Sequence, residues 1–519
     1  MPQMSTAWPW SSQACATSGI RAGCSTIGPR WGSRAAMLLF SAFILSIALS
    51  CGAQAESIQA GSDIQAAIDS ASAGDTIIVS AGDYSSFRVD RPVVILAQAQ
   101  SYLSAGLQKP AIVIKSDGVT ISGFSIRGVG KDTTAKFNYY MQNPAAAAGA
   151  SLDDANCALV VEGDGFSLEN TTIYGAQVGI SAEGISGITM QNVTLNGCDT
   201  GASILQSRAV TVTGCRISNC KKYGLDVERS SDVRADNNSV INNSNGGILL
   251  KESSGGVVQD NKISYNTFGL SLWNSSANEV RRNHADHNYY GILVTDWSCY
   301  NNITNNVAQD NSNSEIVAGF GIGISLQENS SFNMLLGNSA SGNFNGLEVS
   351  RGCHHNAVYA NNASDNKHGI RLNENRNNLI FGNNFKHNDI NAYENTSLNI
   401  WNTTIGNYYT DYQGSDGNGD GIGDDPYPLP GPESVSMDMM PLVRPFGEFD
   451  LDIAALRAEV TKYAVFAPLV ADLPTTSMQD GVAVISRKTP TRAPKWDDSD
   501  SFDASAPPFQ KENSFLNGD

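Results

Sequence analysis

The hydrophobic and polar positions of the chain repeat with a short period from about Gly201 to Asn399. In each repeat a glycine is followed by an apolar, a variable and a second apolar residue. Successive glycines are separated by 22 or 23 residues, with one separation of 32. A fixed period of this length indicates units that bury their apolar faces only by stacking on one another. The glycines are Gly179, Gly201, Gly224, Gly247, Gly269, Gly291, Gly323, Gly346 and Gly369.

The residues after each glycine predict a β-strand. Apolar and variable positions alternate there, as in Leu225 and Val227 or in Ile370 and Leu372, and this period of two is typical of strands. Three short strands with tight turns fill a repeat, which leaves no room for a helix of about ten residues. The pattern therefore predicts an all-β fold, a parallel β-helix of about ten to twelve coils stacked roughly 4.8 Å apart.

Two rows of asparagines follow the same period. Asparagine tolerates the left-handed conformation at turns, and identical side chains stacked at strand spacing can form hydrogen-bonded ladders. We favour structural ladders over the alternative, an asparagine-lined groove for a ligand. The rows are Asn261, Asn283, Asn306, Asn338, Asn361 and Asn383, and Asn266, Asn288, Asn311, Asn343, Asn366 and Asn388.

Residues 1–55 have the pattern of a signal peptide. Arg30 and Arg34 precede an apolar run, and Ala53-Gln54-Ala55 has the form of an A-x-A cleavage site. The alternative is an uncleaved anchor, although the 15-residue run 35–49 is short for a membrane span. The sequence therefore predicts an exported protein that has no membrane span after cleavage.

Residues 56–100 predict an N-terminal cap. The apolar spacing from Ile64 to Ile68 is helical, with Ser62 or Asp63 as the N-cap. A helix here would cover the apolar end and the strand edges of the first coil. The coils would then occupy residues 101–405, interrupted by loops at 131–156 and 312–321. A C-terminal segment, 406–446, precedes a tail, 447–519, in which we expect a short helix and then an acidic disordered stretch.

The charge balance excludes some partners. The chain has 519 residues, of which 16% are charged, and a formal net charge of −18. Phosphate backbones and anionic lipid surfaces bind basic patches, so this balance argues against nucleic acid and against an anionic membrane surface.

The inserted loop at 312–321 suggests a place for chemistry, because loops on a regular scaffold often carry binding sites. The positions five residues after successive glycines include Asp296, Glu328 and Arg351. Two carboxylates on adjacent coils, with an arginine beside them, could act as acid and base on a sugar. Tyr289, Tyr290 and Trp297 could stack on sugar rings. The alternative is a solvated charged face.

Cysteine and histidine positions suggest two further possibilities. Cys353, His354 and His355 form the densest cluster of soft metal ligands and could bind copper; the alternative is ordinary surface histidines. Cys198 and Cys220 fall on adjacent coils, where their Cα atoms would be about 4.8 Å apart, within the range of a disulfide. An exported protein permits that bond, and stacked free thiols are the alternative.

A Gly- and Asp-rich loop after the last coil is similar to a calcium-binding loop. It has oxygen-bearing residues at the first, third, fifth and ninth positions, a glycine at the sixth and a main-chain carbonyl at the seventh. Its twelfth position is Tyr427, so a bidentate ligand would have to come from Asp425 or Asp411. A metal-free turn is the alternative, and either role is structural. The proposed ligands are Asp416, Asn418, Asp420, Ile422 and Asp424.

Two stretches resemble a known family. The segment IQAAIDSASAGDTIIVSAGDY resembles the N-terminal cap of secreted pectate-lyase-like β-helices, and GNYYTDYQGSDGNGDGIGDDPYPLP resembles the C-terminal signature of NosD-like proteins. The resemblance covers about residues 56–446 and implies a right-handed parallel β-helix. For function it implies either a periplasmic accessory to copper-site maturation or a carbohydrate-binding or sugar-hydrolysing protein.

The catalytic steps of related enzymes are missing from the chain. Pectin-cleaving β-helix hydrolases carry G-H-G and R-I-K, and alginate-epimerase-like β-helices carry D-P-H-D, but none of these occurs here. We therefore expect a monomeric, exported binding protein, extracellular, cell-surface or periplasmic, for carbohydrate or a surface protein. The alternatives are a polysaccharide lyase, hydrolase or epimerase and a copper-handling protein.

Overall fold

The computed structural model describes residues 55–106, 109–128, 157–311, 320–395, 398–432 and 434–447, together with two strands near the C-terminus. The predicted signal peptide, the loop at 131–156, most of the loop at 312–321 and most of the tail therefore lie outside the described residues. The two strands of the tail, Thr475–Gln479 and Val482–Ser486, pair antiparallel.

Three long parallel sheets, here called A, B and C in the order in which each coil visits them, form the body of the molecule. They contain 14, 14 and 13 strands, so the solenoid has about 14 coils rather than the predicted ten to twelve. The additional coils precede Gly179, where the sequence lacks the glycine and asparagine markers. The predicted all-β right-handed parallel β-helix is confirmed.

Most strands of sheets A and B are three residues long, whereas most of those of sheet C have five or six. Sheet A comprises Ser57–Ala60, Thr76–Val79, Val94–Ala97, Thr120–Ser122, Ser167–Glu169, Ser186–Gln191, Arg208–Thr213, Ser231–Asp236, Val257–Gln259, Glu279–Arg281, Asn302–Thr304, Met334–Leu336, Ala357–Tyr359 and Leu379–Phe381. Sheet B comprises Gly82–Tyr84, Ser101–Ser104, Ser125–Arg127, Thr172–Tyr174, Thr194–Asn196, Arg216–Ser218, Ser239–Ile241, Lys262–Ser264, His284–Asp286, Val307–Gln309, Ser339–Ser341, Asn362–Ser364, Asn384–Lys386 and Tyr408–Tyr409. Sheet C comprises Phe87–Val89, Ile112–Ile114, Cys157–Val161, Val178–Glu183, Thr200–Leu205, Tyr223–Glu228, Gly246–Lys251, Phe268–Trp273, Tyr290–Thr295, Ile322–Leu326, Asn345–Ser350, His368–Asn373 and Ile390–Glu394.

The repeating glycines lie at the start of the sheet C strands and allow the coils to close around the core. A Cβ atom added at Gly323 would lie 2.5 Å from the carbonyl oxygen of Gly346 and 3.0 Å from Nδ2 of Asn343. Only glycine fits a position where the backbone is approached this closely. The next residue, Ile324, is fully buried, and equivalent side chains of adjacent coils stack in the core.

The asparagine rows are structural ladders, as predicted. Asn283, for example, donates both its main-chain N–H (2.9 Å) and its Nδ2 (3.0 Å) to one oxygen, Oδ1 of Asn306 in the next coil. Its Nδ2 also donates to the carbonyl of Val258. This pairing satisfies the polar groups that every turn would otherwise bury unpaired. A third ladder, not predicted from the sequence, comprises Asn278, Asn301, Asn333, Asn356, Asn378 and Asn399.

A single short helix, here α1, lies at the N-terminal end of the described body. It spans Ile64–Ser70, and the Asp63 side chain accepts a hydrogen bond from the N–H of Ala66 at 3.3 Å, so Asp63 is the N-cap. Ile64 and Ile68 are buried. At the other end, Tyr427–Pro428 pairs antiparallel with Met437–Asp438. Within the described ranges, no helix is long and apolar enough to cross a membrane.

Candidate functional site

The outer face of sheet C carries a nearly buried carboxylate and several other buried polar side chains. The strand positions that alternate with the core side chains point away from the core. The middle one of these positions forms a row, here called the middle row, in which each residue is the direct partner of the next. It reads Asp226, Leu249, Ser271, Leu293, Ser325, Glu348, Arg371 and Tyr393.

Glu348 is the most confined charge of this face. It is 6% exposed, and its Oε1 accepts hydrogen bonds from Gln327 Nε2 at 3.1 Å and Ser350 Oγ at 3.2 Å. Its Oε2 accepts from Asn345 Nδ2 at 2.5 Å and lies 3.7 Å from Arg371 Nη1. A buried carboxylate needs such partners to offset its desolvation, and they fix its orientation.

His368 adds a neutral imidazole beside this carboxylate. Its Nδ1 lies 2.9 Å from Oδ1 of Asn345, whose Nδ2 donates to Glu348. Because an amide oxygen only accepts, Nδ1 carries the proton and Nε2 keeps a free lone pair. Burial, followed by the charges of Arg371 and Lys367, lowers the pKa of His368. The imidazole is therefore neutral at neutral pH and can act as an acceptor.

Aromatic rings and cations surround these polar groups. The hydroxyl of Tyr290 lies 3.4 Å from Gln327 Nε2, and burial raises the Tyr290 pKa, so the phenol stays protonated. Lys367 Nζ lies 4.6 Å from the centre of the Phe344 ring, and the guanidinium of Arg371 lies 5.9 Å from that of Tyr393. We call Tyr290, Gln327, Asn345, Glu348, His368 and Arg371 the Glu348 site.

A second group of polar atoms on the same face has no partner. Oδ1 of Asp226, Oγ of Ser271 and Nε1 of Trp273 are buried and make no hydrogen bond to another protein atom. The Phe268 ring meets the Trp273 ring edge-on at 6.1 Å and stacks on the Tyr290 ring at 5.6 Å. Burial, followed by the charge of Glu228, raises the pKa of Asp226 to about 6.

The proposed catalytic residues Asp296, Glu328 and Arg351 lie at a corner of the coil, not in the Glu348 site. Each follows the last residues of a sheet C strand and adopts a left-handed backbone, with φ of 56°, 50° and 55°. Glu328 and Arg351 form an ion pair at 2.8 Å in which their side chains remain 46% and 58% exposed. The sheet C strands end one or two residues earlier, so the row five residues after the glycine belongs to the turn.

The proposed sugar-stacking residues separate in the same way. Tyr290 faces outward within the Glu348 site, and the ring of Tyr289 meets it edge-on at 4.9 Å. Trp297 is 57% exposed and lies at the corner with a φ of 63°. Only one of the three predicted aromatic residues therefore belongs to the Glu348 site.

Only the two histidines of the proposed copper cluster are brought together: Nδ1 of His354 lies 2.8 Å from Nδ1 of His355. Cys353 is fully buried in the core, whereas His354 and His355 are half-buried at the turn. Burial raises the pKa of the Cys353 thiol to about 12 and lowers that of His354 to about 4. Across the described parts of the chain, no three His, Cys, Asp or Glu side chains are placed to hold a metal ion.

Cys198 and Cys220 are free buried thiols rather than a disulfide. Each sulfur faces a carbonyl oxygen of its own coil, Asn196 at 3.9 Å for Cys198 and Ser218 at 3.7 Å for Cys220. These are the carbonyls that asparagine side chains bind at the same position of later coils, as Asn266 binds Ser264. The two cysteines therefore take the place of ladder asparagines.

The carboxylates of the proposed calcium loop bind main-chain N–H groups of the loop itself. Asp416 accepts from Gly419, Asp420 and Gly421 at 2.7 to 3.1 Å. Asp420 Oδ1 accepts from Ile422, and Asp424 Oδ2 accepts from Gly417. Asn418 Nδ2 donates to Asp420 Oδ2 at 2.9 Å. The arrangement holds the oxygens in a tight loop, and calcium binding stays a prediction.

The residues that sequence reasoning missed are Gln327, Asn345, Glu348, His368 and Arg371. The sequence does contain a sign of these residues. At the variable position between the two apolar residues, leucine and serine are replaced by Glu348 and Arg371 on adjacent coils. Their mutual hydrogen bonds depend on side-chain directions that spacing alone does not give.

Comparison with known proteins supports the fold. A family model described as a right handed beta helix region matches residues 110–285 and 201–363. No curated protein matches the chain.

Several solved structures are similar at low identity. The Dettilon tailspike protein is 13% identical over 56% of this chain and 60% of its own, with a TM-score of 0.42. A family 28 exopolygalacturonase from Yersinia enterocolitica is 12% identical over 65% and 76%, with a TM-score of 0.40. The periplasmic alginate epimerase AlgG is 13% identical over 59% and 77%, with a TM-score of 0.32. The chain spans about three fifths of the length of the tailspike structure. Together, the three parallel sheets and the family match identify the chain as a right-handed parallel β-helix protein.

Proposed function

We propose that this chain is an exported carbohydrate-binding protein and that the Glu348 site binds the sugar. The observation that supports it is the carboxylate of Glu348, which is 6% exposed yet lies on the outer face and is held by four side chains. Sugars present hydroxyl groups that both donate and accept, and a fixed carboxylate, amides and an imidazole can bind them in a defined orientation.

The aromatic rings around the Glu348 site suit the apolar face of a sugar ring. Tyr290, Phe344 and Tyr393 surround the polar groups, and aromatic faces pack against the C–H side of a pyranose through ordinary apolar contact. Arg371 and Lys367 place positive charge on this face of a chain with a net charge of −18. The site therefore suits glycans that carry carboxylates.

The test is binding of the full chain to immobilised polygalacturonate, alginate and cellulose oligomers. Glu348→Gln removes the fixed charge and should weaken binding about tenfold or more, since hydrogen bonds to a charged group contribute roughly 1.5–3 kcal/mol. Glu374→Gln is the matched control, because Glu374 is exposed at a corner and the substitution changes the net charge equally. Equal binding by both variants, or no binding by the unsubstituted chain, would contradict the proposal.

A second candidate function is a polysaccharide lyase, favoured by the free Nε2 of His368 beside Arg371. A neutral imidazole can remove the proton next to a uronate carboxylate while a guanidinium stabilises the charge that develops there. The bond to the leaving sugar oxygen then breaks, that oxygen takes the proton back from the imidazolium of His368, and an unsaturated uronate forms. Ultraviolet absorbance of unsaturated uronates, present in the chain and lost in His368→Gln, would show this activity.

A further inference from the structure

A cleft at the corner between sheets C and A has the properties of a second binding site. Its volume is about 460 Å³, within the range of about 300–1,000 Å³ that is typical of ligand pockets. The buried residues Ser207 and Ser230 form its floor, and the exposed residues Arg208 and Arg229 form its sides. We call it the Arg208 cleft.

The Arg208 cleft is separate from the Glu348 site. Glu252, which lines one end of the cleft, follows the strand Gly246–Lys251, and that strand lies four coil steps from the strand of Glu348. Four steps correspond to about 19 Å at the usual strand spacing. A small ligand in the cleft therefore does not contact the Glu348 site.

The floor of the cleft is held by its own hydrogen bonds. The Ser207 hydroxyl donates to the carbonyl of Leu205 at 2.7 Å, and the Ser230 hydroxyl donates to the carbonyl of Glu228 at 2.8 Å. Oγ of Ser230 also accepts the main-chain N–H of Ser207 at 3.0 Å. Because the hydroxyl protons of the floor are already used, a ligand must be bound by the side chains of the walls.

The two arginines of the walls have no carboxylate partner. Arg208 Nε donates to Ser186 Oγ at 2.9 Å, which leaves its two Nη groups for a ligand. Six other arginines in the part of the chain that the structure describes form ion pairs with carboxylates, whereas Arg208 and Arg229 form none. In a chain with a net charge of −18, two such arginines in one cleft indicate a site for an anion.

The number of donors narrows the kind of anion. One guanidinium can bind both oxygens of a carboxylate, so two of them suit an anion with more oxygens and more charge. A phosphate monoester has three acceptor oxygens and a charge of about −2 at pH 7. The hydroxyls of Ser231 and Ser254, which follow Arg208 on the next two coils, are further donors beside it.

Two carboxylates limit the length of the anion. Asp164 and Glu252 lie at opposite ends of the cleft. Oδ1 of Asp164 accepts the main-chain N–H of Ser186 at 2.8 Å, and Glu252 takes the position of Arg229 on the next coil. Negative charges at both ends repel a chain of several phosphates, so the cleft suits a single phosphate group.

We propose that the Arg208 cleft binds the phosphate group of a small phosphate monoester through Arg208 and Arg229. The cleft is far larger than the roughly 30 Å³ that one water molecule occupies in the liquid, so it also has space for the organic part of the ester. This site does not depend on the carbohydrate function proposed for the Glu348 site.

The test is calorimetric titration of the full chain at low salt, where charged contacts are screened least. The probes are methyl phosphate, glycerol 3-phosphate, methyl sulfate and glycerol. Both phosphate esters should bind, and methyl sulfate, which carries a single charge, should bind about three- to tenfold more weakly than methyl phosphate, as for one lost hydrogen bond. Glycerol, which has no charge, should not bind.

Three variants with the same loss of charge locate the contact. Arg208→Gln and Arg229→Gln should each weaken the binding of glycerol 3-phosphate about tenfold or more, as for a lost hydrogen bond to a charged group. Arg216→Gln is the matched control, because Arg216 is exposed on sheet B, and it should leave the affinity unchanged. The melting temperatures of all three should stay close to that of the unsubstituted chain, since none of these arginines forms an ion pair with a described carboxylate.

Two further substitutions test the kind of ligand and its place. Glu252→Gln removes a repulsive charge and should raise the affinity for glycerol 3-phosphate, by up to about fivefold for an exposed group. A lower affinity in this variant would indicate a ligand with a positive group and would overturn the proposal. Glu348→Gln should leave phosphate binding unchanged, so the failure of one site does not affect the test of the other.

The remaining outcomes are equally decisive. An unsubstituted chain that binds neither phosphate ester overturns the proposal, and so does a loss of affinity in Arg216→Gln equal to that in Arg208→Gln, which would show only an effect of net charge. Methyl sulfate bound as tightly as methyl phosphate would overturn the assignment to phosphate.

Discussion

Oδ2 of Asp438 accepts the main-chain N–H of Asn407 at 2.7 Å and its Nδ2 at 3.2 Å. Asn407 in turn accepts from Asn383 at 2.9 Å, so Asp438 ends the first asparagine ladder. The other two ladders also end at carboxylates. Asn391, which follows Asn388, donates to Asp411 at 2.6 Å, and Asn399 donates to Glu394 at 2.7 Å. Every ladder directs its donors toward the C-terminal end, so its last asparagine needs an acceptor, and a carboxylate has the lone pairs for two donors.

Removing this acceptor should destabilise the chain. Asp438→Ala removes the acceptor of two buried donors, the main-chain N–H of Asn407 and the hydroxyl of Tyr409. The free energy of unfolding should therefore fall by about 1–3 kcal/mol or more. Asp438→Asn keeps an oxygen at the same place and should cost less. Urea unfolding measures both, with Asp83→Ala, on an exposed strand position, as the control. A loss in Asp438→Asn equal to that in Asp438→Ala would contradict the role of the acceptor.

The same carboxyl should make stability depend on pH. Burial raises the pKa of Asp438 to about 6 from 3.8, so between these values the folded state binds its proton more tightly than the unfolded state. The resulting stability is fully present below 3.8 and is lost as the pH rises through about 6. On acidification from pH 7 to 5, the unsubstituted chain should gain stability relative to Asp438→Asn, by about 1.4 kcal/mol per pH unit at most. If the melting temperatures of the two proteins changed by the same amount between pH 7 and pH 5, this assignment would be contradicted.

A methyl group at a repeating glycine should disrupt the coil closure. A Cβ atom at Gly346 would lie 2.7 Å from Asn366 Nδ2 and 2.8 Å from the carbonyl oxygen of Gly369. We expect Gly346→Ala to lower the free energy of unfolding by about 1–3 kcal/mol, as for overpacked cores. Gly61→Ala is the control, since a Cβ there meets nothing within 4 Å. An equal change of the melting temperature in Gly346→Ala and Gly61→Ala would contradict this prediction.

Calcium should stabilise the loop between Asp416 and Asp424. A ligand that binds only the folded state raises the apparent stability of the protein, and the increase grows with the logarithm of the free ligand concentration. We expect the melting temperature to rise with added Ca²⁺ and to fall with a chelator. The shift should be lost in Asp416→Ala, which also removes three main-chain hydrogen bonds, so isothermal titration of the folded variant is the second measurement. A melting temperature independent of Ca²⁺ would identify a metal-free turn.

The corner carboxylates should matter little for sugar binding. Asp296 is exposed and Glu328 pairs with Arg351 in a largely exposed ion pair. Exposed pairs contribute about 0–1 kcal/mol, so Glu328→Gln should leave the melting temperature nearly unchanged. Asp296→Asn and Glu328→Gln should also bind glycans as the unsubstituted chain does. A large loss of binding in either variant would move the site from Glu348 to the corner.

Much of the fold was predictable because it is local and repeated. The 22- or 23-residue spacing, the alternation around residues such as Ile324 and the asparagine rows each report a backbone position that recurs in every coil. The helix after Asp63 was predictable for the same reason, since an N-cap and its first turn lie within a few residues. The third ladder could have been found from the same spacing, but the early coils carry no such markers.

The sequence by itself determined the coil, its period and its core, because stacking equivalent side chains leaves one way to bury them. Only the tertiary structure decided which outward residues act together. Glu348 meets Gln327, Asn345 and Arg371 through side chains of three coils, and Asp438 reaches Asn407 across 31 residues. Asp296 and Glu328 are likewise turned away from the sheet face because each adopts a left-handed backbone conformation at its own position. Spacing predicts which residues share a row, whereas the direction of each side chain depends on the neighbours that pack against it.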